Sequence, residues 1–204
     1  MSFGYHTLGF GSYPNRDSGS SIAQGLTPSL LTLTGQSQTN ANQLGNSNSL
    51  NLTNIGGVDY TGNSARIVFH YQKGSSFTGD IQVYDIVVSG TNFNLNSGMG
   101  TFQTTIANSS PYTSASFFGV GTNTSGGRWN RDSNGTPSNG TGLTLAGEDY
   151  FYAETSNPAA NTVGFNFWLR SPVVSLSAAS PTLSFKDGRY GAGIGTLNVH
   201  LDIQ

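Results

Sequence analysis

Two stretches of sequence decide the fold: residues 195–203, Gly-Thr-Leu-Asn-Val-His-Leu-Asp-Ile, and residues 31–36, Leu-Thr-Leu-Thr-Gly-Gln. In the first stretch, apolar residues alternate with polar ones, the apolar set being Leu197, Val199, Leu201 and Ile203. Because side chains alternate across a strand, this pattern predicts an antiparallel strand with one buried face. The second stretch has the same alternation and lies near the other end of the sequence.

Strand-like alternation recurs along the chain between turns rich in Gly, Asn and Ser. The predicted strands before residue 90 are Leu30–Thr34, Leu50–Thr53, Arg66–Gln72 and Ile81–Val88. The alternation predicts one shared face for Ile67, Phe69 and Tyr71, and another for Val163, Phe165, Phe167 and Leu169. No segment has the 3.6-residue period of a helix, so a β-sandwich or jelly roll is the economical architecture.

The composition supports an all-β protein of low charge. The chain has 204 residues, 28 of them Gly, and 10 acidic against 8 basic side chains give a formal charge of −2. This length suffices for one domain with a sizeable core. So little charge excludes the basic surface that binds nucleic acid or an anionic membrane. The chain has no cysteine, which excludes disulfides, thiolate metal sites and a cysteine nucleophile.

We expect an N-terminal arm or edge strand over residues 1–28, and a single domain over residues 29–204. The arm alternates Gly with large apolar residues, which are Phe3, Tyr5, Leu8, Phe10 and Tyr13. Within the domain we expect closing strands in 29–90, a connecting segment in 91–128 and opening strands in 129–204. The first residues have neither a basic segment nor an apolar run, so we expect no secretory signal.

Motifs from the two ends of the chain form one pattern when they are taken in order after a cyclic shift. The pattern starts at Trp129 and runs through Thr136-Pro137-Ser138, Tyr152-Ala153-Glu154, Leu169-Arg170-Ser171-Pro172, Leu183-Ser184-Phe185 and Gly195–Val199. It resumes at Leu31–Gln36, Ala65–Phe69 and Gly74–Ile86. In this order the chain resembles the MAM domain, a jelly-roll module of adhesion proteins that has relatives among bacteriophage structural proteins.

The resemblance implies a permuted, MAM-like antiparallel jelly roll. Strand Thr196–Ile203 then lies beside strand Leu30–Thr34, either within one chain or across a swapped oligomer. The resemblance also implies that Asp85 and Glu154 contribute oxygens to a structural calcium site. The chain departs from the family in three ways: its order is permuted, the cysteines of animal relatives are absent, and Tyr84 precedes Asp85 where an acidic pair often occurs. The loss of one carboxylate weakens the calcium site.

The expected function is that of a non-enzymatic bacteriophage virion protein, most consistent with capsid decoration or a head fibre. We expect it on the virion surface, as a homo-oligomer with a trimer favoured, in contact with other virion proteins. The alternative is a receptor adhesin that binds carbohydrate through Trp129, Tyr150 and Tyr152, although core packing is the ordinary role of such rings. A hydrolase using Glu148, Asp149 and Glu154 is a weaker reading, because acids in polar loops are usually solvated.

Overall fold

The computed structural model shows an antiparallel β-sandwich, which confirms the predicted fold class. It describes residues 25–40, 43–52, 54–55, 58–90, 101–105, 112, 117–120, 127–133, 149–156, 162–177 and 180–204. No α-helix occurs among these residues. The arm residues Phe3, Tyr5, Leu8, Phe10 and Tyr13 lie outside the described residues.

The described residues form fourteen strands. The strands are β1 Gly25–Leu26, β2 Leu31–Thr34, β3 Asn46–Asn51, β4 Asn54–Ile55, β5 Val58–Asp59, β6 Ser64–Gln72, β7 Ile81–Val88, β8 Gln103–Thr105, β9 Phe117–Gly119, β10 Trp129–Asp132, β11 Tyr150–Ala153, β12 Asn166–Ser175, β13 Thr182–Arg189 and β14 Thr196–Ile203. One sheet has the order β1-β14-β6-β12-β8-β9, with β2 also paired to β14. The second sheet has the order β10-β11-β7-β13-β3, and β4 and β5 form a separate pair.

The two ends of the described chain close the seven-stranded sheet together. β14 pairs with β2 in the register Thr196 to Thr34 through Val199 to Leu31, and with β1 through Leu26 to Asp202. On its other side β14 pairs along its whole length with β6, from Thr196 to Ile203. The predicted contact between the strands at 196–203 and 30–34 is therefore confirmed, and it forms within one chain.

The apolar faces of the two sheets meet in one core. Phe69 of the seven-stranded sheet packs edge-on against Phe185 of the five-stranded sheet, with ring centroids 5.2 Å apart. Phe102 and Phe151 make a second contact across the layers at 4.6 Å. The core faces that alternation predicted are confirmed for Ile67, Phe69, Tyr71, Phe165, Phe167, Leu169 and the four apolar residues of β14. Val163 is an exception, because it lies in the turn before β12 and is 67% exposed.

A bulge in β12 accommodates the proline of the Leu169-Arg-Ser-Pro172 motif. Proline lacks the N–H that a central strand must donate, so it is confined to irregular positions. The pairing of β12 with β6 shifts between Arg170 and Val173. Within the shift the hydroxyl of Ser171 accepts a hydrogen bond from the N–H of Ile67 at 2.8 Å. The serine side chain thus supplies a partner where the ladder is interrupted.

Close backbone contacts hold the turn before β14. Gly195 lies against the chain that leaves β6, and a Cβ at this position would overlap the Gln72 carbonyl and come within 2.5 Å of the Gly74 nitrogen. Backbone atoms cannot move aside as a flexible side chain can. The glycine is therefore required by space, because no other residue lets β14 start beside β6.

We expect Gly195→Ala to destabilise the protein by about 3 kcal/mol or more, the range typical of severe overpacking. Gly119→Ala is the matched control, because a Cβ there has no heavy atom within 4 Å. Urea unfolding followed by circular dichroism measures both variants. Equal midpoints for the two variants would contradict the spatial argument.

Candidate functional site

Thr27 fixes the start of the described chain to β14, and we call Thr27 with its contacts the arm anchor. Its N–H donates to the Leu201 carbonyl at 2.8 Å, and its hydroxyl accepts from the Leu201 N–H at 3.0 Å. Its carbonyl accepts from Nδ1 of His200 at 2.9 Å. Since Thr27 is buried, water competes little for these hydrogen bonds. The anchor therefore holds the chain at residues 25–27 on the edge of the seven-stranded sheet.

Beside the anchor, the outer face of the same sheet carries three neighbouring ring systems, two of them stacked, which we call the imidazole layer. It consists of His70, Trp168 and His200, from β6, β12 and β14. The His70 and Trp168 rings are parallel, with centroids 3.7 Å apart and an angle of 7°. The His200 ring lies 6.1 Å from His70 and 6.3 Å from Trp168. Trp168 is only 4% exposed, so the outer face of the sheet is covered at this ring.

Hydrogen bonds fix the tautomer of both histidines. Nε2 of His70 lies 2.7 Å from Oδ1 of Asn166, whose Nδ2 donates to the Gly164 carbonyl, so His70 is the donor. Nδ1 of His200 donates to the Thr27 carbonyl, which leaves Nε2 as a buried atom without a hydrogen-bond partner. Burial lowers the pKa of His70 to about 4 and also lowers the pKa of His200. Both rings are therefore neutral at pH 7.

Charged groups surround the imidazole layer on the same face of the sheet. The hydroxyl of Tyr112, whose ring packs edge-on against Trp168 at 5.1 Å, donates to Oδ2 of Asp202 at 2.7 Å. Arg170 donates to Oε1 of Gln103 at 2.8 Å and lies 3.9 Å above the centre of the Phe117 ring. Arg66 donates to the Ser171 carbonyl at 2.9 Å. Burial raises the pKa of Tyr112, so its hydroxyl keeps its proton and remains a donor.

The structure does not bring the predicted calcium ligands together, so that prediction is wrong as a shared site. Glu154 follows Ala153, which pairs with Ile81, whereas Asp85 lies four residues further along β7, roughly 13 Å away at the rise of a strand. Asp85 instead forms an ion pair with Lys186, at 2.6 Å. One oxygen of Glu154 accepts from the N–H of Ser156 at 3.0 Å, and the other is buried without a hydrogen-bond partner.

Asp85 has a structural role in a bulge. The pairing of β7 with β13 sets Asp85 and Ile86 opposite Phe185 alone. Asp85 has φ +50°, the left-handed conformation that Asp and Asn tolerate better than most residues. The local backbone, together with Lys186, accounts for an acidic residue at this position.

The structure also contradicts the aromatic sugar platform. Trp129 and Tyr150 are 0% exposed and Tyr152 is 1% exposed, so none of these rings offers a face to a sugar. Trp129 belongs to the core between the sheets, and its backbone N–H donates to the Thr104 hydroxyl at 3.1 Å. Tyr150 and Tyr152 pack with Tyr84 in a second buried cluster. Trp168 lies on the outer face of the seven-stranded sheet, beside His70.

Sequence reasoning missed the arm anchor and the imidazole layer. The histidines were visible on the polar faces of strands, and Trp168 alternates with core residues. Their contact depends on pairings across the sheet between residues as far apart as Thr27 and His200. The predicted pairing of β2 with β14 was the one sequence signal that could have placed Thr27 beside His200.

The side chains of the described residues that could hold a metal ion are carboxylates and histidines. In the ranges that the structure describes, no three His, Cys, Asp or Glu side chains converge on a metal position. Within those ranges, no helix has the length and apolar character to cross a membrane. Comparison of the chain with known protein families, with curated proteins and with solved structures found no match.

We expect acid to destabilise the protein through His70. Its pKa falls from 6.5 in an unfolded chain to about 4 in the folded protein, so the unfolded state takes up a proton first as the pH drops. Stability from the neutral ring is fully present above pH 6.5 and is lost between pH 6.5 and 4. A shift of this size corresponds to roughly 3 kcal/mol. Urea unfolding at pH 7 and at pH 4 measures the effect. Between these two pH values, His70→Gln should lose less of its free energy of unfolding than the natural chain loses. An identical loss would contradict this assignment.

We expect Thr27→Val to lower the free energy of unfolding by about 1 to 2 kcal/mol, because the buried Leu201 N–H loses its acceptor. Thr32→Val is the matched control: its hydroxyl bonds Asn198 on the exposed surface of β2. Its effect should stay within about 0.5 kcal/mol. Hydrogen exchange should locate the loss of protection for Thr27→Val at Leu201. Unchanged exchange at Leu201 would count against the anchor.

Proposed function

We propose that this protein is a non-enzymatic structural component of a bacteriophage virion, a capsid decoration or head-fibre protein built on a MAM-like jelly roll. The observation that carries the proposal is the pairing of β2 with β14, Leu31 to Val199 through Thr34 to Thr196. The resemblance to MAM-like virion proteins predicts that β2 and β14 lie side by side. The sequence of either strand alone does not predict this pairing. We propose that the segment before residue 25 is the element that makes the assembly contact.

The position of the anchor supports an arm that docks to a neighbour. β1 and β2 both lie at the edge of their sheet, and Thr27 between them is held on β14 by its main chain and its hydroxyl. A pull on the arm therefore acts on β14, which pairs over eight residues with β6 in the middle of the sheet. Such a connection suits a protein that must stay attached to a particle.

The charge of the chain supports the same kind of partner. With a formal charge of −2 over 204 residues, copies packed side by side repel one another little. Docking by strand addition draws its affinity from main-chain hydrogen bonds and does not need charged side chains. We propose other virion proteins and further copies of this chain as partners, on the virion surface, with a trimer as the assembly.

The test of the proposal replaces the arm's apolar residues while keeping its length. A variant with Phe3, Tyr5, Leu8, Phe10 and Tyr13 all changed to Ser should lose oligomer mass in light scattering. It should also lose saturating, stoichiometric binding to capsids that lack the protein. Its β-sheet circular dichroism should stay unchanged, because the body from Gly25 onward holds the sandwich core.

A variant with His6→Gln and Asn15→Ser is the control, because it changes polar arm residues and keeps the apolar ones. It should behave as the natural chain does. Full binding and full oligomer mass with all five apolar residues replaced would sink the proposed arm. Binding to a glycan array in place of capsids would favour the adhesin function.

A further inference from the structure

The two sheets formed by the described strands have four edges, which differ in how well they are protected against an added strand. Natural edges are shielded by short strands, charged side chains, proline or bulges. The edge formed by β1 and β2 is broken at Pro28, and β9 has only three residues. The edge strand β10 has four residues and carries Arg131 and Asp132. These three edges each have a protective feature.

β3 has none of these features. It is six residues long, Asn-Ser-Asn-Ser-Leu-Asn, and has no charge, no proline and a continuous register against β13. On its other side, no strand of the described chain pairs with it. Ser47 and Ser49 are exposed there. β3 is therefore the edge of this sandwich best suited to accept a further strand.

The register shows which main-chain groups face the open side. The Leu52 N–H donates to the Pro181 carbonyl at 2.8 Å, and alternate residues of β3 repeat that orientation toward β13. The residues between them point the other way. The N–H and C=O groups of Ser47 and Ser49 therefore face outward, in the spacing that an extended chain matches.

The side chains beside this edge call for an apolar partner on one face. Leu50 is partly buried and packs against the main core from the end of the sheet. Leu44, just before β3, is 66% exposed. An added strand with apolar residues on the core side and small residues on the other would cover Leu50 and extend the core by one strand.

We propose that β3 accepts residues 7–11 of a second copy of this chain as an added antiparallel or parallel strand. This segment, Thr-Leu-Gly-Phe-Gly, places Leu8 and Phe10 on one face and Gly9 and Gly11 on the other. The large residues cover Leu50, and the glycines leave the opposite face open. The proposal rests on the proposed function, because it names the surface that receives the arm.

The length of the arm fits transfer to a neighbour. From the anchored β1 at Gly25 back to Gly11 there are fourteen residues, which span roughly 45 Å when extended. That distance is larger than the spacing of two packed sheets, about 10 Å, so an extended segment is long enough to reach a neighbouring copy. Residues 7–11 contain no charged residue, and neither does β3, so the contact between them buries no unpaired charge.

The test is Ser49→Pro in the full chain. The Ser49 N–H faces away from β13, so proline removes a hydrogen bond only to an added strand and is tolerated at an edge. We expect the variant to have the thermal midpoint of the chain lacking residues 1–24 and to be monomeric in light scattering. Ser49→Ala keeps the N–H and should keep the oligomer. Oligomer mass unchanged by Ser49→Pro would overturn the proposal.

Cross-linking provides a second measurement that does not depend on the proline variant folding. The chain has no cysteine, so each variant carries a single thiol. Gly9→Cys is mixed with Ser47→Cys or with Ser49→Cys, and the yield of the mixed disulfide dimer is measured. A high yield requires that the two positions meet. Thr61→Cys, exposed in a turn outside any strand, is the control. We expect dimers from the β3 cysteines at least tenfold above this control. Equal yields would overturn the proposal.

The outcomes separate this inference from the function on which it rests. If replacing the five apolar arm residues abolishes assembly but Ser49→Pro and the cysteine pairs have no effect, the arm docks elsewhere and only β3 is excluded. If neither change affects assembly, both proposals fail. If the natural chain is monomeric and Ser49→Pro is less stable than it, the arm adds to β3 of its own chain. The proposal that a second copy supplies the added strand then fails.

Discussion

The structure depends on the double pairing of β14. On one side this strand forms an eight-residue ladder with β6, and on the other it holds β2 and β1. Its apolar face, Leu197 to Ile203, contributes four residues to the core between the sheets. Residues from the two ends of the chain thus share one set of hydrogen bonds. Without β14, the edge strands β1 and β2 would lose their partner, β6 would lose one of its two neighbours, and the core would lose four apolar residues.

The alternation of apolar and polar residues was enough to predict the sheet but not its surroundings. It placed Ile67, Phe69 and Tyr71 correctly, because strand geometry sets alternate residues on opposite faces. It could not decide how the second face is covered. His200 and Asp202, which a half-buried strand exposes to water, are only 9% and 6% exposed. Single-strand patterns do not contain the contacts, such as Tyr112 over Trp168, that cover a second face.

The candidate site was less predictable than the fold for a related reason. The adhesin alternative needed Trp129, Tyr150 and Tyr152 on a surface, yet these rings are buried by the layers around them, in the core role that such rings ordinarily have. The resemblance paired Asp85 with Glu154 through motif order, whereas register along β7 separates them. Register depends on long-range pairing, which a sequence pattern does not specify for loops and strand ends. The neighbourhood of β2 and β14 was predictable because motif order carries long-range information.

The proposed donor and acceptor of the arm lie on different sheets, and this difference constrains the assembly. The arm starts from the edge of the seven-stranded sheet at β1, whereas β3 lies at the edge of the five-stranded sheet. A contact between unlike surfaces is heterologous, so it either closes into a ring or continues as an open chain of subunits. In a closed ring every β3 edge is covered once and no exposed strand remains to recruit further copies. The lack of charge on β3 is then compatible with solubility, because the assembly itself protects the edge. A ring therefore reconciles an unprotected strand with a protein of low net charge.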